Sequence, residues 1–444
     1  MATQRTENWS RRQFVQSSTS ALVAGAAALG GTSALAAAAE AIRPRISDVQ
    51  TMTMQGPGRS YVYVRILTAD GHSGIGEGYG TPGVGVAQRI MEIKPYLMGK
   101  NPLEIDKLYT LLDTGAKGLS GTRTDGSAHN FMRAASAIDM ALWDLAGNIL
   151  NTPTSVLLGG QYRDHVRVYD HSRPEDFFDK GALNEWAAKV KAHPSGFTAH
   201  KVDLPRTSSI WSTGKPRRDA IPDATRSLNT EELSTRELIR IGQAYENMRN
   251  ALGWDHDLMV HCHWEFDLPT AIKIAEATAP AKPLWLEDPL GVDYSESWKL
   301  LTARSPVPIL MGENLTRVEG FAPFIINDGC NIVNPDLRNS GGFSETRRIA
   351  ALADQYGLPV STHGTASQVC TYAVAQWGSA IHNYLIGECV TGEGGWMDQV
   401  LKLDGPYIEK GYIKVSDKPG LGIALNREVV EAHLATGEKW WGDG

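Results

Sequence analysis

Leu258-Met-Val-His-Cys-His263 is a short apolar run that ends in histidines, and similar runs follow it at a nearly constant interval. The next run is Pro283-Leu-Trp-Leu-Glu287, and 26 residues separate His261 from Glu287 and also Glu287 from Glu313. An interval of about 25 residues accommodates one strand, one helix and two short loops, and repetition of this unit forms a parallel barrel of eight strands. The sequence therefore predicts an α/β fold, a parallel (β/α)8 TIM barrel.

The pattern extends along the chain on both sides of this stretch. Residues 166–169 and 198–203 supply two earlier strands, and residues 331–336, 358–363 and 384–388 supply three later ones. The carboxyl ends of parallel barrel strands face one mouth, where this architecture carries its active site. The polar residues that end these runs are therefore candidate site residues.

The chain is long enough for a second domain, because its 444 residues exceed the ~250 residues of a typical barrel. An alternating run, a turn and two helical runs precede the first barrel strand. We predict an α+β capping domain at residues 45–160, the barrel at 165–400, and a C-terminal segment at 401–444 that returns to the cap. Residues 206–232 interrupt the barrel pattern. A segment of this length indicates a lid or binding loop, and a mobile segment is the alternative.

The N-terminus has the features of an export signal. Ser10-Arg-Arg-Gln-Phe-Val15 precedes a weakly hydrophobic stretch rich in Ala and Gly, and Ala34-Leu-Ala36 offers small residues for cleavage. This order is typical of a twin-arginine signal peptide, which we predict at residues 1–39. A disordered leader and a lone membrane anchor are the alternatives. The signal predicts a periplasmic protein with no stable membrane insertion after its removal.

Composition excludes some classes of partner and crosslink. The formal net charge is −7 and no Lys/Arg run has the character of a nucleic-acid patch, so we expect no nucleic-acid partner. The four cysteines contain no CxxC pair and are predicted to be buried packing residues: Cys262, Cys330, Cys370 and Cys389.

Three residues on adjacent predicted strands are candidate metal ligands. His261, Glu287 and Glu313 belong to three consecutive runs, and neighbouring strands stand about 5 Å apart. Two carboxylates and an imidazole at this spacing can bind one divalent cation and leave positions for substrate oxygens. An isolated glutamate here is more often an ion-paired residue of the barrel rim, but the equal spacing favours a metal site.

A second group of residues has the pattern of acid–base chemistry. His363 ends the seventh run and Asp336 ends the sixth, and a carboxylate beside an imidazole fixes its tautomer and raises its basicity. The pair is a candidate general base, and a structural histidine is the alternative. Strand alternation predicts that His261, His263 and Glu265 share one face.

Five motifs together carry a family resemblance: Leu286-Glu-Asp-Pro289, Gly312-Glu-Asn314, Asn334-Pro-Asp336, Ser340-Gly-Gly342 and Ile138-Asp-Met-Ala-Leu-Trp-Asp144. In combination they resemble the enolase superfamily, and within it the mandelate racemase-like acid-sugar dehydratases of the galactonate and mannonate type. The resemblance covers roughly residues 45–425. It implies a capping domain followed by a modified barrel.

The resemblance also implies a mechanism. One divalent metal ion, usually Mg²⁺, binds a substrate carboxylate and stabilises the enediolate that forms when a base removes the adjacent proton. His363 with Asp336 matches the position of that base. His263 matches a histidine that acts as general acid for the leaving hydroxyl, and Glu388 matches a glutamate that hydrogen-bonds the enediolate.

The chain departs from the family pattern at two places. The first metal ligand of the family is acidic, whereas this chain has His261, so Mn²⁺, Zn²⁺ or Fe²⁺ become alternatives to Mg²⁺. Asp203 on the neighbouring strand is a candidate to restore the missing negative charge. The racemase branch has Lys-x-Lys where this chain has Lys201-Val-Asp203, which disfavours a two-base racemase. We assign Lys201, Asp203 and Trp396 to substrate binding, while Lys201 as a structural anchor or as a base remains open.

These features together predict a metal-dependent lyase that resembles the acid-sugar dehydratases. It would abstract the proton next to the carboxylate of a small sugar acid and eliminate a β-hydroxyl or β-alkoxyl group. An epimerase or cycloisomerase of a sugar acid on the same scaffold is one alternative, and a non-catalytic sugar-acid binder is another. We also expect a homo-oligomer.

Overall fold

The computed structural model describes residues 44–56, 58–80, 85–120, 126–204, 233, 235–389 and 395–442. The predicted signal peptide at residues 1–39 and the predicted loop at residues 206–232 lie outside the described residues.

An antiparallel sheet begins the N-terminal domain. Its strands, in spatial order, are β1 (Ile46–Gly56), β2 (Arg59–Thr68) and β3 (Ser73–Gly78). Two glycines of β3 allow a helix to lie directly on the strand. A Cβ atom at Gly74 would overlap the carbonyl oxygen of Ala141, and one at Gly76 would overlap that of Ala137.

Two helices pack against this sheet, α1 (Val86–Leu97) and α3 (Gly126–Leu150), and α2 (Ile105–Ser120) packs against α3. Helix α3 is the one that contacts β3. Its residues Ile138, Leu142 and Leu145 are fully buried at the three- and four-residue spacing of a helix face. The result is an α+β domain with its own apolar core.

Eight parallel strands form the second domain: β4 (His165–His171), β5 (Ala199–Asp203), β6 (Asp257–His261), β7 (Leu286–Glu287), β8 (Ile309–Met311), β9 (Ile332–Val333), β10 (Val360–Thr362) and β11 (Tyr384–Glu388). Each strand pairs with the next along the chain, and β11 pairs with β4, so the sheet closes into a barrel. Its inward side chains, among them Tyr169, Met259, Trp285 and Leu310, form one fully buried cluster. The predicted capped TIM barrel is confirmed.

Helices connect these strands: α4 (Thr154–Leu157) before the barrel, then α5 (Lys180–Lys191), α6 (Thr235–Leu252), α7 (Leu268–Thr278), α8 (Glu296–Arg304), α9 (Arg317–Ile326), α10 (Gly342–Gln355) and α11 (Gln368–Ala380). Several begin at a side-chain cap that satisfies backbone N–H groups of the first turn. Asp179 accepts from α5, Asp267 from α7 and Ser367 from α11.

Strand β6 is shorter than the sequence pattern predicts. It ends at His261, and His263 and Trp264 both have φ 57°, in the left-handed region. The strand-alternation argument for His263 and Glu265 is therefore wrong, because neither residue lies in the strand. His263 still reaches the mouth, through a turn of the backbone.

The C-terminal segment contacts both domains. Strand β12 (Tyr412–Lys414) pairs antiparallel with β4, and helix α12 (Arg427–Ala432) follows. Beyond α12, the carbonyl of His433 accepts a hydrogen bond from Gln55 N at 2.8 Å, and Ala435 N donates to Thr53 O at 2.9 Å. The end of the chain thus returns to β1 of the cap.

No helix among the described residues is both long and apolar enough to cross a bilayer. The four cysteines are all buried and free, in agreement with their interpretation as packing residues.

Candidate active site at the barrel mouth

Strand register brings the predicted site residues together. Asp203 of β5 lies opposite His261 of β6, and His261 lies opposite Glu287 of β7. Glu313 comes two residues after β8, and His363 directly follows β10. Because all these strands are parallel, these side chains surround one mouth.

Four residues at the mouth form a cluster with the composition of a metal site. One ligand atom from each of His261, Glu287, Asp288 and Glu313 lies within 4.8 Å of the others. His261 Nε2, Asp288 Oδ2 and Glu313 Oε2 are buried and have no hydrogen-bond partner among the described residues. Buried polar atoms without a partner are unfavourable, and an imidazole with carboxylates suits a divalent cation. The residues present therefore fit one divalent metal ion.

Asp288 is a candidate ligand that the sequence analysis missed. In a regular strand, an inward Glu287 implies an outward Asp288. The backbone of Asp288 has φ 47°, and this left-handed conformation breaks the alternation directly after β7. Burial and the neighbouring carboxylates of Glu313 and Glu287 raise the pKa of Asp288 well above its usual range. The only sequence signal was its position beside the predicted ligand in the Leu286-Glu-Asp-Pro289 motif.

Lys201 forms ion pairs with two glutamates, Glu287 and Glu388. Its Nζ lies 3.0 Å from Glu287 Oε1 and 3.0 Å from Glu388 Oε1. Burial lowers the pKa of Lys201, but the carboxylates of Glu287 and Glu388 outweigh this effect and raise it well above the usual value. Lys201 is therefore a charged group that joins two carboxylates, which is unfavourable for a base.

Glu287 accepts further hydrogen bonds, from Trp285 Nε1 at 2.9 Å and from Asn334 Nδ2 at 3.4 Å. Together with Lys201, these donors orient the carboxylate. Each carboxylate oxygen has more than one acceptor direction, so these bonds are compatible with a role as metal ligand.

His363 and Asp336 form a hydrogen-bonded pair. Nδ1–H of His363 donates to Asp336 Oδ2 at 2.7 Å, and Nε2 lies 3.5 Å from Glu313 Oε2 and 3.6 Å from Glu388 Oε2. Burial lowers the pKa of His363, but Glu313, Glu388 and Asp336 outweigh it and raise the pKa to about 10. The pair fixes the imidazole so that Nε2 faces the acidic cluster.

Arg338 holds the other side of Asp336 and was not indicated by the sequence analysis. Its Nη2 donates to Asp336 Oδ2 at 2.8 Å and its Nε donates to Oδ1 at 3.2 Å. Burial raises the pKa of Asp336, but Arg338 and His363 outweigh burial and hold that pKa well below the usual range. Asp336 is therefore a charged and oriented carboxylate.

Asp203 lies among histidines on the opposite side of the cluster. Its Oδ1 accepts from His261 Nδ1 at 3.2 Å and lies 3.9 Å from His263 Nε2. The rings of His261 and His263 stack with centroids 3.7 Å apart. Burial raises the pKa of Asp203, but His261, His263 and His171 outweigh burial and hold it well below the usual range. The Asp203 hydrogen bond directs Nε2 of His261 toward the acidic cluster.

Glu388 is buried and bonded through both oxygens. Oε2 accepts from Gly364 N at 2.8 Å, and Oε1 contacts Lys201 Nζ and His171 Nε2. Burial raises the pKa of Glu388, but Lys201, His363 and His171 outweigh it and lower the pKa well below the usual value. The sequence analysis missed His171, because it ended this strand at residue 169, two residues too early.

Trp396, which was predicted to bind substrate, contacts a residue of the C-terminal segment. It begins a short 3-10 helix (Trp396–Gln399), and its ring stacks on His433 with centroids 3.7 Å apart. The C-terminal segment thus supplies this contact. A role of Trp396 in substrate binding stays a prediction.

The sequence matches two family models. Residues 33–159 match the mandelate racemase / muconate lactonizing enzyme N-terminal domain, and residues 185–429 match the enolase C-terminal domain-like family. A D-xylonate dehydratase from Haloferax volcanii is 36% identical over 394 residues, which cover 88% of this chain and 90% of that protein. A D-mannonate dehydratase from a Sphingomonas species is 28% identical and covers 88% of this chain and 95% of its own.

Solved structures agree with these matches. A mandelate racemase/muconate lactonizing enzyme-like protein from Rubrobacter xylanophilus superposes with a TM-score of 0.78 at 28% identity, and the match covers 90% of this chain and all of that one. A similar protein from Labrenzia alexandrii gives a TM-score of 0.75 at 27% identity, and covers 88% of this chain and 97% of its own. With both domains matched and the acidic cluster at the barrel mouth, this chain belongs to the mandelate racemase / muconate lactonizing enzyme family of the enolase superfamily.

Proposed function

We propose that this protein is a metal-dependent acid-sugar dehydratase. It removes the proton next to the carboxylate of a sugar acid and eliminates the β-hydroxyl group, so it is a carbon–oxygen lyase. The observation that carries the proposal is the Asp336–His363 pair, whose Nε2 lies 3.5 Å from an oxygen of the candidate ligand Glu313. A base in this position reaches the carbon beside a carboxylate that is held at the cluster.

The hydrogen bond between His363 and Asp336 determines which nitrogen of His363 can act as the base. Asp336 fixes the proton on Nδ1 of His363, so Nε2 receives the substrate proton. The pKa of about 10 reflects the nearby charges of Glu313 and Glu388, and Glu313 is itself a candidate metal ligand. A bound divalent cation supplies positive charge for the substrate carboxylate and for the negative charge that develops beside it.

The proton for the leaving group comes from the opposite side of the cluster. His263 stacks on His261, and its side chain remains 31% exposed at the mouth, where it can reach a substrate hydroxyl. Glu388, which accepts a hydrogen bond from Gly364 N, is the proposed hydrogen-bond partner of the substrate near His363. A base after β10 and an acid after β6 suit an elimination, in which one group removes a proton and another assists the departing hydroxyl.

The alternatives are less compatible with these contacts. An epimerase needs a second base on the opposite substrate face, and Lys201, the lysine considered for a base, is ion-paired to both Glu287 and Glu388. A non-catalytic binder does not need an oriented Asp336–His363 pair.

We propose D-xylonate as the first substrate to test, because the 36% identical relative is a D-xylonate dehydratase. Purified protein would be incubated with D-xylonate, D-mannonate, D-galactonate and D-gluconate, each with Mg²⁺ or Mn²⁺, and the 2-keto-3-deoxy acid product would be measured. Turnover of one acid that disappears in His363→Asn supports the proposal. Epimerised acid without dehydrated product would favour the isomerase.

The departure at position 261 bears on which metal binds. We propose His261, Glu287, Asp288 and Glu313 as the ligand candidates, with the Asp203 hydrogen bond orienting His261. Mg²⁺ is the family expectation, while an imidazole ligand favours Mn²⁺, Fe²⁺ or Zn²⁺ over Mg²⁺.

We further propose that the protein is exported by the twin-arginine route and acts in the periplasm, on the basis of Arg11-Arg12 and the stretch that follows. A homo-oligomer is proposed as well, and light scattering of the purified protein tests it.

A further inference from the structure

A buried ion-pair network crosses from the capping domain to the base. Arg338 of the barrel is 2% exposed, and it contacts Asp336 on one side and Glu77 of the cap on the other. Its Nη1 lies 3.5 Å from Glu77 Oε1 and donates to Thr365 O at 3.1 Å. Asp336 in turn accepts from His363. Four titratable groups, Glu77, Arg338, Asp336 and His363, are thus joined in series.

Arg338 contacts Asp336 through two side-chain hydrogen bonds. The guanidinium approaches both carboxylate oxygens, and Arg338 N also donates to Oδ1 at 2.8 Å. Such a fork fixes the plane of a carboxylate in a way that the single ammonium of lysine cannot. The plane of Asp336 determines the direction of its bond to His363.

Glu77 is fixed at its own end by the barrel. It lies on strand β3 of the cap, it is fully buried, and its carboxylate accepts from Ser367 N at 3.0 Å, Ser367 Oγ at 2.6 Å and Cys370 N at 3.1 Å. These donors belong to the start of helix α11. Glu77 therefore sits where the cap, α11 and Arg338 meet.

We propose that Arg338 is a positioning residue for the base and that Glu77 holds Arg338, so that the seating of the cap on the barrel determines the orientation of Asp336 and His363. The proposal rests on the proposed function, because it takes His363 and Asp336 to be the base. It gives the cap a role in proton abstraction that does not require contact between Glu77 and the substrate.

Asp139 provides a matched control for Glu77. It is also a buried cap carboxylate, and it accepts from the backbone N and the Oγ of a serine at the start of a barrel helix, Ser344 of α10. It differs in having no contact with Arg338 among those the structure describes. Glu77→Gln and Asp139→Asn therefore disturb equivalent cap–barrel contacts, but only the first disturbs the network.

The experiment compares Arg338→Lys, Glu77→Gln and Asp139→Asn in the full-length protein with D-xylonate. We expect kcat and the rate of α-proton exchange with deuterium oxide to fall by about 10- to 100-fold in Arg338→Lys, the usual cost of a small misplacement, and several-fold in Glu77→Gln. KM and bound metal should stay near wild type. Asp139→Asn should retain the wild-type kcat. Equal kcat losses in Glu77→Gln and Asp139→Asn, or a wild-type kcat in Arg338→Lys, would overturn the proposal.

A second measurement needs no substrate. In NMR spectra of protein with ¹⁵N-labelled histidine, the resonance of the proton between His363 Nδ1 and Asp336 Oδ2 should shift or broaden in Arg338→Lys. The proton between His200 Nδ1 and Asp170 Oδ1, which are 2.5 Å apart, serves as the reference. An unchanged His363 resonance contradicts the inference. The variant His363→Asn separates the two proposals. If exchange of the substrate α-proton persists in this variant, the proposed function is contradicted. If that exchange is lost in His363→Asn but intact in Arg338→Lys, only the positioning role is contradicted.

Discussion

Two histidines at the barrel mouth, His363 after β10 and His263 after β6, have different partners, and these partners assign them different tasks. His363 has a carboxylate 2.7 Å from Nδ1, which suits a base, whereas His263 stacks on His261 and stands beside Asp203. An assignment made from partners in this way is testable, because the two steps of the elimination can be observed separately.

We predict that His363→Asn and His263→Asn each lower the rate of dehydration by at least about 10²-fold, the usual size of one acid–base contribution. In His363→Asn, exchange of the α-proton with deuterium oxide should also stop, because the base is missing. In His263→Asn, exchange should persist while elimination fails. Mass spectrometry of recovered D-xylonate measures both. The reverse pattern would assign the base to His263.

A second prediction at this scale concerns the ligand set. Glu313→Gln should lose bound metal, because it removes one of the buried oxygens without a partner. His261→Asp should raise the affinity for Mg²⁺ relative to Mn²⁺ by about tenfold or more, since it replaces a neutral donor with a charged oxygen. Elemental analysis and titration calorimetry give both values. An unchanged Mg²⁺/Mn²⁺ preference in His261→Asp would remove His261 from the ligand set.

At the scale of elements, the contact between helices α3 and α10 includes one buried carboxylate, Asp139. Asp139 of α3 accepts from Ser344 N at 3.0 Å and Ser344 Oγ at 2.5 Å. Burial raises the pKa of Asp139 to about 7, although the hydrogen bonds from Ser344 act in the opposite direction. The protonated form is therefore favoured in the folded protein relative to the unfolded chain.

This raised pKa gives a predicted pH dependence. The stabilising contribution is complete below the unfolded pKa of about 3.9 and is lost as the pH rises through about 7. The melting temperature of the wild type should therefore fall with rising pH between about pH 4 and 7 relative to that of Asp139→Asn, which cannot titrate there. Thermal unfolding monitored by fluorescence at several pH values checks this. Parallel curves for the two proteins would show that Asp139 does not titrate in this range.

Elements also show why the site was only partly predictable from sequence. The repeat of apolar runs determined the eight strands, because each run must end at the mouth, and so His261, Glu287 and His363 were found. Asp288 was missed because a left-handed residue reverses the face that alternation predicts. Arg338 was missed because its partners, Asp336 and Glu77, come from distant parts of the chain, and a sequence period carries no information about such tertiary contacts.

At the scale of the whole molecule, we predict that the N-terminal arginine pair directs export of the folded protein. Changing Arg11 and Arg12 together to Lys should retain the precursor in the cytoplasm, because the twin-arginine route requires the pair. Fractionation of cells followed by detection of the precursor and mature forms measures the effect. Unchanged delivery of the double variant to the periplasm would exclude this route.

The hydrogen bonds from residues 433–435 to strand β1 have a consequence for how the chain is made. Strand β1 is among the first described residues to leave the ribosome, and its partners are among the last. The edge of the first sheet therefore stays open until residues 433–435 have been synthesised, and its closure joins residues that lie far apart in the sequence. Sequence-distant contacts form late and slowly. We expect the cap to reach its final structure only after residues 433–435 have left the ribosome, and chains terminated before them to keep an open sheet edge.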